Sequence, residues 1–264
     1  MNTAAVPTLL SAQGLNRRFG AVVAAAEVSI EIAAGERVCL IGSNGAGKTT
    51  FVNMVTGYLK PTSGHIRLDG EDITALAPRQ ITHRGVARSF QIPQLCMHLS
   101  VLDNLLASLA CSKGERSFFR PGHAPASVAQ CHHLLARFDL ARHADRPVME
   151  LPGGIRKLID IAMALTGQPK LLMLDEPTSG VSSEEKFLTM DTVMNAIDRG
   201  TAGRPVAVVF VEHDMDIVSR YASRVIAFYS GRVIADGLPA VVLDDAEVQR
   251  YVTGSARSTA TAAA

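Results

Sequence analysis

The stretch Gly42-Ser43-Asn44-Gly45-Ala46-Gly47-Lys48-Thr49 constrains this chain more than any other, because it fits the pattern G-x-x-x-x-G-K-[ST]. An apolar run, Val38–Ile41, precedes it, and a helical run from Thr50 to Thr56 follows it. In that setting the glycines let the backbone curl until successive N–H groups point inward around phosphate oxygens. The positive end of the following helix adds to the attraction. Lys48 is expected to reach the β- and γ-phosphates of a nucleotide, and the Thr49 hydroxyl to hold Mg²⁺. Ser43, Asn44, Gly45, Ala46 and Thr50 complete the candidate cradle. A flexible glycine-rich loop is the plain alternative; the strand, the lysine and the threonine all weigh against it.

The rest of the chain reads as α/β. Val28-Ser29-Ile30-Glu31-Ile32 alternates apolar and polar residues, as a strand with one wet face does, and His65-Ile66-Arg67-Leu68-Asp69-Gly70 does likewise before an Asp-Gly turn. Val38–Ile41, Leu171–Leu174 and Val206–Val211 are apolar without interruption, which suits strands covered on both faces of a parallel sheet. The expected fold is a phosphate-loop core of mainly parallel sheet, with an N-terminal antiparallel β-subdomain and an inserted helical subdomain.

That insertion is placed at about 95–165, where strand signals disappear. Ser100 followed by Asp103 resembles a capping box, and Val101, Leu102, Leu105, Leu106 and Leu109 form one helical stripe. Val128, Cys131, Leu134, Leu135 and Phe138 form a second. Ile155, Leu158, Ile159, Ala162, Met163 and Thr166 form a third, opened by Pro152-Gly153-Gly154. The loop from Lys113 to Pro125 carries Phe118-Phe119, either a docking surface or aromatics folded onto their own domain. One domain is expected over 9–254, and the low-complexity tail 255–264 is predicted to be disordered.

Two further elements carry charge where burial would be costly. Leu171-Leu-Met-Leu-Asp175-Glu176-Pro177 is an apolar strand ending in two carboxylates. A Mg²⁺-nucleotide supplies the missing partner, with Asp175 orienting the metal and Glu176 polarising the attacking water. An ordinary exposed strand end is the alternative. Glu212-His213-Asp214 ends the run Val206–Val211. In an α/β sheet the ligand crevice lies beyond the carboxyl ends of the strands, so loop 42–49, Asp175-Glu176 and His213 are expected to converge there. His132-His133 point to different sides of a helix and lack a third ligand, so they are not read as a metal site.

Composition excludes several classes. With 47% apolar and 19% charged residues the chain can bury a large core, and 26 basic against 25 acidic side chains leave no field to attract nucleic acid. No apolar run approaches the roughly 20 residues of a membrane span. The N-terminus MNTAAVPTLL lacks a basic n-region, so no secretory signal is expected, and Cys39, Cys96, Cys111 and Cys131 are expected to be reduced thiols.

Leu151-Pro-Gly-Gly-Ile155, whose Ile155 falls 20 positions before Asp175, resembles the signature motif, usually LSGGQ, of ABC-type ATPases. Gln91 looks like that family's Q-loop glutamine, which contacts the metal; Ser179-Gly-Val-Ser182 looks like its D-loop, and Phe19 resembles the aromatic that stacks on adenine. The resemblance runs from about Leu9 to Tyr251. Arg17-Arg-Phe-Gly20, Asp72-Ile-Thr-Ala-Leu76, Arg88-Ser-Phe-Gln91 and Val248-Gln-Arg-Tyr-Val252 are similar to the importer ATPases for branched-chain and related hydrophobic amino acids. The resemblance implies an ATPase using ATP and Mg²⁺, peripheral at the cytoplasmic face of the membrane. It also implies two membrane-spanning permease subunits, a second ATP-binding subunit and, indirectly, a periplasmic solute-binding protein. Lys48, Gln91, Glu176 and His213 would be catalytic, and the Gly153 and Gly154 N–H groups would meet the γ-phosphate held by the partner subunit.

The chain departs from the usual letters at Pro152, Ile155 and Ser182. Pro152 offers neither hydroxyl nor N–H, so two donors to the partner's γ-phosphate are absent. An asymmetric heterodimer, and a tolerated variant in a homodimer or in a dimer with two equal sites, are the two readings. Two other function classes stand beside the transport ATPase: a soluble ABC-type ATPase acting on nucleic acid or the ribosome, and a weakly active nucleotide-dependent regulatory module.

Overall fold

The uninterrupted apolar runs become the inner strands of a parallel sheet whose two faces belong to different cores. The computed structural model describes residues 7–114, 124–199 and 205–254. Along the chain come β1 (Thr8–Phe19), β2 (Val22–Ala33), β3 (Arg37–Gly42) and α1 (Lys48–Val55), then β4 (Ser63–Leu68), β5 (Glu71–Asp72), α2 (Pro78–His83) and β6 (Val86–Ser89). Three helices follow, α3 (Val101–Ser112), α4 (Pro125–Arg137) and α5 (Gly153–Leu165), before β7 (Leu171–Asp175), α6 (Ser183–Arg199) and β8 (Ala207–Val211). The chain closes through α7 (Met215–Tyr221), β9 (Arg224–Tyr229), β10 (Arg232–Gly237) and short C-terminal helices. Phe118-Phe119 and the tail 255–264 lie outside the described residues.

Among the described residues, β2-β1-β4-β5 form an antiparallel sheet, and β10-β9-β3-β8-β7-β6 form a second sheet, parallel except at the β10–β9 edge. Period-two geometry divides the inner strands between two cores. Cys39, Ile41, Leu172, Leu174, Val208 and Phe210 face the core shared with α3, α4, α5 and α6. Val38, Leu40, Leu171, Met173, Val209 and Val211 face the core shared with the antiparallel sheet and α1. Covering both faces explains why these strands show no polar alternation, whereas β2 keeps Ser29 and Glu31 exposed between buried Val28, Ile30 and Ile32.

The helical stripes point where periodicity places them: Val101, Leu102, Leu105, Leu106 and Leu109 of α3 and Cys131, Leu134 and Leu135 of α4 are buried. Ser100 caps α3, its hydroxyl accepting from the Asp103 N–H at 3.0 Å and donating to the Asp103 carboxylate at 2.7 Å. Sequence reading left β6, β9 and β10 unmarked. β6 is four residues long and carries Arg88, and β10 is only half-buried, so neither shows a clean pattern. No helix among the described residues is long and apolar enough to cross a membrane. Cys39, Cys96, Cys111 and Cys131 are all free thiols.

Candidate functional site

Four adjacent strands deliver the candidate residues to one edge of the parallel sheet. In the order β3, β8, β7, β6, their carboxyl ends carry loop 42–49, His213, Asp175-Glu176 and Gln91. The register places Asp175 opposite Val211, and Glu212 and His213 follow directly.

The loop can curl only because of its glycines. Gly42 has φ +152° and Gly47 φ +114°; a Cβ would stand 2.5 Å from the Phe228 carbonyl oxygen at the first and 2.8 Å from the Ala24 oxygen at the second. Both are closer than a real methyl group approaches, so the main chain here packs against main chain. The turn after β9 seals the contact: Gly231 N–H donates to Ala46 O at 2.9 Å, and Gly231 O accepts from Ala26 N–H at 2.8 Å. Lys48 is buried, its ammonium donating to the carbonyls of Gly42 at 2.6 Å and Ser43 at 3.0 Å. Burial pulls the Lys48 pKa down, against the opposing pull of Glu176 and Asp175. Thr49 is exposed in the first turn of α1, where main-chain N–H groups have no intrahelical acceptor. Phe19 lies at the end of β1, 50% exposed, with the Arg17 guanidinium 5.0 Å from its ring centroid.

Glu176 is held from both sides. Gln91 Nε2 donates to Glu176 Oε2 at 2.8 Å, and His213 Nε2 lies 3.2 Å from Glu176 Oε1. The glutamate adopts φ +48°, a conformation that bulky residues seldom occupy, while its N–H still bonds Val211 O at 3.1 Å. Asp175 is buried and paired with Arg88, whose Nη2 donates to Oδ2 at 2.7 Å. Oδ1 of Asp175 and the Thr49 hydroxyl are hard oxygen donors. So small a protein donor set fits Mg²⁺, which keeps waters and takes further oxygens from bound phosphates. No cluster of three His, Cys, Asp or Glu capable of holding a metal by itself occurs among the described residues. The glycine cradle and Lys48 likewise fit a chain of phosphates.

Gly153 and Gly154 open α5, with Pro152 as its N-cap and no side-chain cap bond. A Cβ at Gly153 would meet nothing within 4 Å, and one at Gly154 only Val181 Cγ2 at 4.0 Å. These two residues therefore face open space.

Three charged residues hold the site together: Asp160 and Lys157, which sequence reasoning passed over, and Glu212, which it named without assigning a role. Asp160 on α5 accepts from Ser89 Oγ at 2.6 Å and from the N–H groups of Phe90 and Gln94 at 3.1 Å each. Lys157, one turn earlier, donates to the carbonyls of Phe90 at 2.8 Å, Asp175 at 3.1 Å and Gln91 at 3.2 Å. Burial lowers its pKa, and Asp160 opposes that shift most strongly. Glu212 is buried and accepts from the Thr178 N–H at 3.0 Å, the Thr178 hydroxyl at 2.8 Å and the His213 N–H at 3.3 Å. Burial raises its pKa, and the Thr178 bonds work against the rise. The available signal was a charge on an apolar helical face: Lys157 and Asp160 are interleaved with Leu158, Ile159 and Ile161.

Residues 25–179 match the family described as ABC transporter. The chain is 32% identical over 256 residues to the high-affinity branched-chain amino acid transport ATP-binding protein BraF of Pseudomonas aeruginosa, covering 94% of this chain and 98% of that protein. It is equally similar, with the same coverage, to the high-affinity branched-chain amino acid transport ATP-binding protein LivG of Escherichia coli. The crystal structure of an ABC transporter's ATP-binding cassette in its ADP conformation superimposes with a TM-score of 0.81 at 30% identity, covering 92% of this chain and 98% of that one.

Asp160→Ala would leave Ser89, Phe90 and Gln94 without their shared acceptor and remove the charge that most opposes the effect of burial on Lys157. A loss of about 1–3 kcal/mol or more of stability is expected in denaturant titration, as for buried donors stripped of a charged acceptor. Faster hydrogen exchange should appear at the Phe90 and Gln94 amides.

Proposed function

The chain belongs to the ABC transporter ATP-binding family of transport ATPases, and from that membership we propose that it energises an importer for branched-chain amino acids or related small organic solutes. The substrate class follows from the similarity to BraF and LivG over nearly the whole of both chains. Its partners on this reading are two membrane-spanning permease subunits and a second ATP-binding subunit, with a periplasmic solute-binding protein acting indirectly. The protein then sits peripherally at the cytoplasmic face of the membrane.

One observation carries the hydrolytic reading: a single carboxylate, Glu176, lies between Gln91 and His213 beside the phosphate loop. Glu176 is assigned as the base that takes a proton from the attacking water, with the two flanking side chains fixing the direction of its oxygens. Lys48 exchanges its loop carbonyls for phosphate oxygens, an exchange made easier because burial has already removed its water. Thr49 and Asp175 would hold Mg²⁺, which when bound would neutralise phosphate charge and polarise the γ-phosphoryl group. Phe19 offers its exposed ring to a purine base.

The open α5 terminus supports an in-trans contact. Glycine costs a helix about 1 kcal/mol per residue relative to alanine, and nothing in this chain's own packing requires it at 153 or 154. Close approach of the partner's bound γ-phosphate does require it. Pro152 withholds a hydroxyl from that contact, and each charge-assisted bond is worth about 1.5–3 kcal/mol. The chain therefore acts in an asymmetric heterodimer, hydrolysing ATP at its own loop with a partner's signature and lending a weaker signature in return.

In the assembled transporter, Glu176→Gln should still bind Mg-ATP while steady-state hydrolysis falls about 10²–10⁴-fold; near-normal turnover would move the base elsewhere. Pro152→Ser should tighten the ATP-closed dimer by about tenfold, read by ATP-driven dimerisation. Unchanged closure and turnover would sink the asymmetry. Sedimentation with detergent-solubilised permease subunits, and not with ribosomes, is the expected outcome for the importer assignment.

A further inference from the structure

Arg88 lies on β6, three residues before Gln91, and its guanidinium joins three elements of the site. Nη1 donates to Asn53 Oδ1 at 2.6 Å, and Nη2 donates to Asp175 Oδ2 at 2.7 Å. Asn53 belongs to α1, the helix that begins with Lys48 and Thr49, and Asp175 is the tip of β7. The guanidinium also lies 4.9 Å from the Phe90 ring centroid and 5.9 Å from that of Tyr58. Both members of the ion pair are closed off from water, with side-chain exposures of 9% and 8%. Arg88 Nε is buried without a hydrogen-bond partner.

A buried ion pair with an orphaned N–H is a poor source of stability, because desolvation consumes most of the attraction. What it does supply is geometry. The planar fork holds two acceptors at a fixed separation, which the single ammonium of a lysine cannot do. Anchored at Asn53 on one side and stacked on Phe90 on the other, the fork fixes the rotation of the Asp175 carboxylate. It engages Oδ2, so Oδ1 is the oxygen left for the crevice.

We propose that Arg88 is a positioning residue for Asp175, holding the carboxylate in the one rotation that presents Oδ1 to a divalent cation carried in by the nucleotide. Asn53 belongs to the same device, since it sets the plane of the guanidinium from the phosphate-loop helix. The inference rests on Asp175 being the metal-facing carboxylate.

The test is equilibrium binding of a fluorescent ATP analogue to the full chain, in excess EDTA and again in saturating Mg²⁺, for Arg88→Lys, Asn53→Ala and Asp175→Asn. Asn53→Ala leaves the ion pair and every charge in place, so it serves where Arg88→Lys lowers the melting temperature. Both variants should bind the analogue in EDTA within about twofold of the parent. The further gain in affinity on adding Mg²⁺ should shrink about 10–100-fold, the usual effect of removing a group that orients a metal ligand. The extra rise in melting temperature given by Mg²⁺ over analogue alone should shrink in parallel. Equal losses with and without Mg²⁺ would make Arg88 a purely structural residue and overturn the proposal, as would an unchanged Mg²⁺ gain in both variants. If Asp175→Asn itself keeps the full Mg²⁺ gain, it is the assignment of Asp175 that fails.

Discussion

The site depends on main chain lying directly against main chain around loop 42–49. At Gly42 and Gly47 there is no room for even one carbon, because the carbonyl oxygens of Phe228 and Ala24 occupy the space. That closeness joins three pieces of the fold: the central strand β3, the edge pair β9–β10 and the antiparallel sheet through β2. Gly231, bonded to both Ala46 and Ala26, is the clasp. Phe51 and Phe228 pack beneath it, ring centroids 6.1 Å apart. A curled loop of exposed N–H groups would collapse or sample many shapes in isolation. Here the surrounding backbone holds the loop in one curled shape.

Around that loop the protein buries several charges, and each is answered by a specific partner. Asp175 has Arg88, Asp160 has the turn after β6, Glu212 has Thr178, and Lys48 and Lys157 have carbonyl oxygens. Such networks add little net stability but allow few alternative arrangements, since any misplacement strands a charge out of water. The consequence for function is mechanical. Lys157 and Asp160 sit on the helix that Gly153 and Gly154 open, and they grip the segment that carries Gln91. The helix and the segment carrying Gln91 are thus tied together by side-chain bonds to main chain, and Gln91 in turn bonds Glu176.

The two cores divide the labour. One binds the antiparallel sheet and α1 to the phosphate loop; the other binds α3, α4 and α5 to the opposite face of the same strands. The parallel sheet between them is the common floor, so both halves report to one row of strand ends. Glu176, at φ +48° between Gln91 and His213, sits where the two halves meet that row.

The amino-acid sequence determined the chemistry on offer. The G-x-x-x-x-G-K-T loop after an apolar strand, the carboxylate pair ending another and the histidine ending a third are local signals, readable because strand periodicity and glycine spacing need no knowledge of distant neighbours. The helical stripes of α3 and α4 were legible for the same reason. Short β6 and half-buried β10 were not, since too few residues carry the pattern. Tertiary structure alone decided which charge restrains which. Arg88 and Asp175 are 87 positions apart, and Glu212 and Thr178 are 34 apart. Their contact follows from the strand order β3-β8-β7-β6, and parallel strands joined by long crossovers leave no trace of that order in the sequence.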